Sequence, residues 1–133
     1  MQCIFCVNKS NAVEYLAYNR TDWPFAVRVA LCPSHLSSLK ETVRKVLQEL
    51  LLVESARMHL NLDSRVFCTH CPYTAHTPDL ATWELKFTHE QFPAGVYIHL
   101  CNSHATGTEL QQIKSILTTV GFSMTSAGRI HQR

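Results

Sequence analysis

Trp23-Pro24-Phe25-Ala26-Val27-Arg28-Val29-Ala30-Leu31-Cys32-Pro33-Ser34-His35 decides the reading of this chain, because it occurs twice. It aligns without gaps on Phe92-Pro93-Ala94-Gly95-Val96-Tyr97-Ile98-His99-Leu100-Cys101-Asn102-Ser103-His104. Pro24/Pro93, Val27/Val96, Leu31/Leu100, Cys32/Cys101, Ser34/Ser103 and His35/His104 are identical, and Trp23/Phe92 and Val29/Ile98 are alike in character. Each copy follows a Cys-x-x-Cys pair, Cys3 and Cys6 in the first and Cys68 and Cys71 in the second. The order of the four Cys and His positions is therefore the same in both halves. Repetition at this spacing marks a duplicated module, here residues 1–62 and 63–133, meeting near Asn61-Leu62-Asp63-Ser64 without a long linker.

The residue types point to metal. A Cys-x-x-Cys turn places two sulfurs on one ion, and a second pair returned by a hairpin closes a tetrahedron, the geometry of structural zinc. Cys3, Cys6, Cys32 and His35 make one set; Cys68, Cys71, Cys101 and His104 make the other. All six cysteines are used and each set closes at four, whereas a catalytic zinc keeps a position open. Two structural Zn²⁺ per chain are thus expected, with no catalytic residue and no other cofactor. Three disulfides would need an oxidising compartment and would leave His35 and His104 without a role. Iron–sulfur ligation fits less well, since histidine is a poorer cluster ligand than cysteine.

Local patterns supply the elements around the ligands. Val27, Val29 and Leu31 alternate as a strand, as do Val96, Ile98 and Leu100. Earlier strands are expected at Val13–Tyr18 and Trp83–Thr88, with Pro24 and Pro93 in the turns. After Pro33, a residue suited to a first helical turn, Leu36, Leu39, Val43, Val46, Leu50, Val53 and Leu60 keep a three-to-four spacing. They predict one long amphipathic helix reaching residue 60, its apolar face widened by Leu47, Leu51 and Leu52. In the second half Leu110, Ile113, Leu117 and Val120 predict a helix ending near Gly121, with Thr106 to Glu109 as a capping box. His59, His76, His89, His99 and His131 are read as outward-facing, and His70 as a possible competitor within the second knuckle.

The first half resembles a known family. Cys3-Ile4-Phe5-Cys6, Lys9, Val13, Leu16, Ala17 and Val29-Ala30-Leu31-Cys32-Pro33-Ser34-His35-Leu36 are similar to the N-terminal zinc-binding domain of the ClpX unfoldase, over residues 3–40 and more faintly 68–120. The resemblance implies a treble-clef finger in each half: a zinc knuckle, a β-hairpin and a helix whose first turn carries the last ligands. It also implies binding of substrates and adaptor proteins, with a covalently tied pseudo-dimer in place of the family's homodimer. Two departures limit it. His35 and His104 stand where the family has cysteine, and no Walker A sequence occurs, so unfoldase activity does not carry over. The expected fold is α+β, two tandem treble-clef modules packed together.

Composition bounds the function. The chain has 133 residues, 46% hydrophobic and 17% charged, with a formal charge of +2. Three thiolates and one Zn²⁺ add −1 per site, which brings the metallated protein to about 0. A general electrostatic pull on nucleic acid does not follow from that balance. No stretch is apolar enough to span a bilayer and the start lacks a signal-peptide pattern, so a cytoplasmic, reducing location is expected, with no membrane partner. A protein-interaction module or adaptor is the first reading of function. Nucleic-acid binding is the alternative, resting on Lys40, Arg44, Lys45, Arg28, Arg129 and Arg133. An enzyme is not expected: the zinc-deaminase signature and His-Glu-x-x-His are both absent. The chain is expected to be a monomer or a weak dimer.

Overall fold

The computed structural model describes residues 3, 12–38, 40–60, 65–73, 77–89 and 92–130. Cys6, His76 and His131 lie outside them. The chain is a mixed α+β domain. Its strands are β1 (Glu14–Asn19), β2 (Ala26–Leu31), β3 (Val53–His59), β4 (Trp83–His89), β5 (Phe92–Leu100) and β6 (Phe122–Arg129). Its helices are α1 (Pro33–Ser38), α2 (Lys40–Glu49), α3 (Asn102–Thr106) and α4 (Glu109–Thr119). All six strands form one antiparallel sheet in the order β3-β1-β2-β5-β4-β6.

The strand order reads the same from either edge once β1, β2 and β3 are exchanged for β4, β5 and β6. The pairing repeats in detail. Glu14, Leu16 and Tyr18 oppose Leu31, Val29 and Val27; Trp83, Leu85 and Phe87 oppose Leu100, Ile98 and Val96. These sets are related by the offset that superposes the two copies of the opening stretch. The halves meet where Arg28 of β2 pairs with Tyr97 of β5. Those two positions are equivalent in the alignment, as a two-fold relation requires of residues on its axis.

One face of the sheet carries Leu16, Val27, Val29, Leu31, Leu85, Phe87, Val96, Ile98 and Leu100, all buried. Leu47 of α2 and Ile113 and Leu117 of α4 are fully buried in the same core. The opposite face is covered at its centre as well, since Arg28, Ala30, Tyr97 and His99 are also buried. Strands β2 and β5 therefore sit between two layers, although their alternation reads as a one-sided strand.

The long helix expected to residue 60 is not formed: α2 stops at Glu49, and Val53–His59 is a strand on the edge of the sheet. The amides of Leu51 and Leu52 bond the carbonyls of Gln48 and Leu47 (2.9 Å each). Leu51 takes φ 63. That pair of bonds with a left-handed residue is the Schellman ending, and it buries Leu52 while leaving Leu51 68% exposed. β3 then pairs with β1, and Arg57 and His59 place Arg57 Nε 2.7 Å and His59 Nδ1 3.3 Å from the buried Glu14 carboxylate. The second half ends its helix with Gly121 in the same left-handed place, φ 100, its amide bonding the Thr118 carbonyl (3.1 Å), as its sequence predicts. The capping box does not form there: Thr106 closes α3 and turns its hydroxyl back to the Asn102 carbonyl.

Both edge strands bulge at matching places, between Ala17 and Tyr18 on the β1 side and between Lys86 and Phe87 on the β4 side. The residue left over is Ser55 in β3 and Thr125 in β6. Each hydroxyl donates to a facing carbonyl, Ser55 to Ala17 and Thr125 to Lys86, at 3.3 Å. No helix among the described residues is long and apolar enough to cross a membrane.

Candidate metal centres

Cys68, Cys71, Cys101 and His104 come together with all four residues buried. Cys68 precedes a single 3-10 turn, Cys71–Tyr73, which carries Cys71. Cys101 directly follows β5, and His104 follows on the first turn of α3. The His104 Nδ1 atom lies 3.3 Å from the sulfurs of Cys68 and Cys101 and 3.6 Å from that of Cys71. The sulfurs of Cys71 and Cys101 are 3.8 Å apart. A tetrahedron built on ordinary zinc bonds puts sulfurs about 3.8 Å apart and sulfur and nitrogen about 3.6 Å apart. The donors are therefore spaced to share one ion. A disulfide would bring two sulfurs to about 2.0 Å, and none of the five described cysteines is in a disulfide.

The first cluster brings together Cys3, Cys32 and His35. His35 Nδ1 lies 3.2 Å from each of the two sulfurs. Cys32 directly follows β2 and His35 sits in α1, as Cys101 follows β5 and His104 sits in α3 in the second half. The fourth expected ligand, Cys6, is outside the described residues.

Two thiols of the second cluster, those of Cys71 and Cys101, are held toward their neutral form. Burial raises the Cys71 thiol to about 12, and burial likewise pushes Cys101 up. A cation reverses this, since a coordinated thiol is held as thiolate. The amide of His70 points at the Cys68 sulfur, 3.4 Å away, a bond that favours the thiolate. The imidazole of His70 is not among the four donors. It packs on the ring of His104 at 4.4 Å, and burial, with His104 adding to it, lowers its pKa.

Two further histidines differ from expectation. His99, expected to face outward, is fully buried. Arg28 Nη1 lies 3.0 Å from His99 Nδ1, and His99 Nε2 lies 3.0 Å from Glu84 Oε2. A guanidinium only donates, so Nδ1 accepts and Nε2 carries the proton given to Glu84. His99 is thereby fixed as the neutral tautomer. Burial, with the charge of Arg28 adding to it, brings its pKa down to about 4 against the pull of Glu84. Burial works against the Glu84 carboxylate, yet the His99 hydrogen bond holds its pKa below the ordinary value. His89 is also buried, with Nε2 2.9 Å from the Val120 carbonyl behind α4. The exposed reading holds for His59, 85% exposed at its side chain.

The second knuckle also ties the halves together. Thr69 takes a backbone bond from Ala26 of β2 (3.2 Å) and donates both its amide and its hydroxyl to the His99 carbonyl of β5 (2.8 Å each). It fills the place where the β2–β5 ladder would otherwise continue past Arg28 and Tyr97. Sequence reading passed over Arg28, Glu84, His99 and Thr69 as a group. The one signal available was a lone Arg inside the strand Val27–Leu31. Comparison with family models, with curated proteins and with solved structures finds no match to this chain.

Proposed function

We propose that the chain is a non-enzymatic protein in which two structural zinc ions hold a duplicated treble-clef module as a pseudo-dimer, acting as a protein-interaction module or adaptor. The observation that carries the zinc reading is the tetrahedral spacing of four buried donors, Cys68, Cys71, Cys101 and His104. Three soft thiolates and one imidazole, closed at four, match structural zinc. The order of knuckle, hairpin β4–β5 and ligand-bearing helix α3 supports the treble-clef reading. Each half adds a strand after the helix, β3 or β6, that returns to the hairpin. The repeated registers, bulges and helix endings support duplication.

Support for protein binding comes from the two open edges. β3 and β6 end the sheet on either side, so each offers one row of backbone groups for strand addition. Val53 and Met58 on β3 and Met124 on β6 are exposed beside them. The metallated charge of about 0 gives little general attraction to nucleic acid. Elemental analysis should find two zinc ions per chain, with thiols released by chelation. Fluorescence titration against generic duplex DNA and RNA should find no binding at micromolar protein. Micromolar binding that weakens steeply with salt would replace the adaptor reading by the nucleic-acid one.

A further inference from the structure

The face of the sheet away from the helices holds a cavity of about 550 Å³ between β1, β2 and β3 and the second knuckle. Its lining is mostly apolar, with Ala17, Ala26, Ala56, Met58, Phe67 and Pro72 drawn from β1, β2, β3 and the second knuckle. Arg28 also lines it and is 8% exposed. The guanidinium lies over the Tyr15 ring, 4.8 Å from its centroid, which fixes its plane. One of its five N–H groups is spent on His99, which is neutral. Among the described residues no carboxylate lies within ion-pair distance of it. A cation this buried is costly without an anion. Negative charge reaches it indirectly, from Glu84 across the His99 imidazole and from Cys68, whose zinc site would carry a net charge of about −1, and neither accepts a hydrogen bond from its remaining N–H groups.

We propose that this cavity binds a small apolar monocarboxylate, its carboxylate on the free N–H groups of Arg28 and its hydrocarbon body against Ala17, Ala56 and Met58. The volume lies within the roughly 300–1,000 Å³ of small-molecule sites, which pair apolar walls with few polar anchors. Guanidinium is the donor best matched to a carboxylate, since two parallel N–H groups meet two oxygens. Opposite Arg28, the second half has Tyr97, so the guanidinium anchor occurs on one side of the seam alone. The inference is independent of the adaptor reading, because it needs the folded sheet and no macromolecular partner.

The test is NMR titration of the zinc-loaded protein with 3-phenylpropanoate and 4-methylpentanoate, each against its primary amide. The acids should shift the amides of Ala17, Ala26 and Ala56 and the Arg28 side chain, and the amides of the acids should bind at least tenfold more weakly. Arg28→Gln should remove the preference for acid. That variant sits at the junction of the halves and can fail to fold, so Ala56→Phe, on an exposed edge position, is the second probe. It should fill the cavity and abolish the shifts while the rest of the spectrum is kept. Equal binding of acid and amide, shifts confined to other residues, or none at millimolar acid would overturn the proposal. So would binding confined to a leucine-ended peptide with a free C-terminus, which would make the occupant a chain end.

Discussion

Leu51 and Gly121 occupy the same place in two helix endings, and only one of them suits it. A left-handed backbone costs a residue with a Cβ about 1–2 kcal/mol, and glycine almost nothing. Leu51→Gly should therefore stabilise the metallated protein by about 1 kcal/mol, read as a higher denaturation midpoint with an unchanged slope. Gly121→Ala should do the reverse and cost more. Besides its φ of 100, a Cβ there would lie 2.7 Å from His89 Nε2, the atom that meets the Val120 carbonyl. A loss of about 2 kcal/mol or more is expected in the same titration. His99 sets a pH dependence. In the unfolded chain its imidazole gains a proton below about pH 6.5, whereas the buried ring resists until about 4. Between those values the unfolded chain binds more protons, so this contribution is complete above pH 6.5 and is lost as pH falls toward 4. Its size is on the order of 3 kcal/mol. His99→Gln should flatten that part of the stability curve, measured on samples whose metal content is followed in parallel. The residues of the two Cys/His clusters were legible from spacing alone, because a shared metal would dictate both residue type and separation. The burial of His99 was not, because it depends on what covers the second face of the sheet.

At the scale of elements, the strands β1, β2, β4 and β5 and the helix α4 follow from alternation and from three-to-four spacing in the sequence. β3 and β6 do not. Val53 continues the apolar spacing of α2 on paper, yet it is exposed, and the chain has already turned at Leu51. What makes Val53–His59 a strand is the open edge of β1 and the Glu14 carboxylate that Arg57 reaches. Phe122–Arg129 lacks an apolar alternation because only Phe122 is buried there. Edge strands of this kind are specified by the partner strand more than by their own side chains. Of the long apolar face expected for the first helix, Leu47 is fully buried and Val46 and Leu50 pack partly buried against the core. Leu47→Ala should cost about 2–4 kcal/mol, seen by calorimetry as a single transition at lower temperature. A loss near zero would mean that α2 contributes little to holding the sheet.

At the scale of the molecule, the seam between halves is short among the described residues: one β2–β5 residue pair, the Arg28–His99 hydrogen bond, and the Thr69 bridge from the second knuckle. His104→Ala should leave one metal per chain, and the loss should be felt in the first half. The Ala26 amide, bonded to Thr69, should exchange its hydrogen faster than in the parent protein. His35→Ala should also lose one metal while leaving the Thr69 bridge better protected. Unchanged Ala26 protection in His104→Ala would show that the bridge stands without the second ion. The pairing of Arg28 with Tyr97 has one more consequence. In a dimer of identical chains about such an axis, whatever occupies position 28 must face its own copy, and two guanidiniums sealed side by side would repel. Joining both halves in one polypeptide lifts that constraint. Each axial position can then differ, so one chain can hold a cation on one side and a ring on the other, an asymmetry closed to a dimer of identical chains.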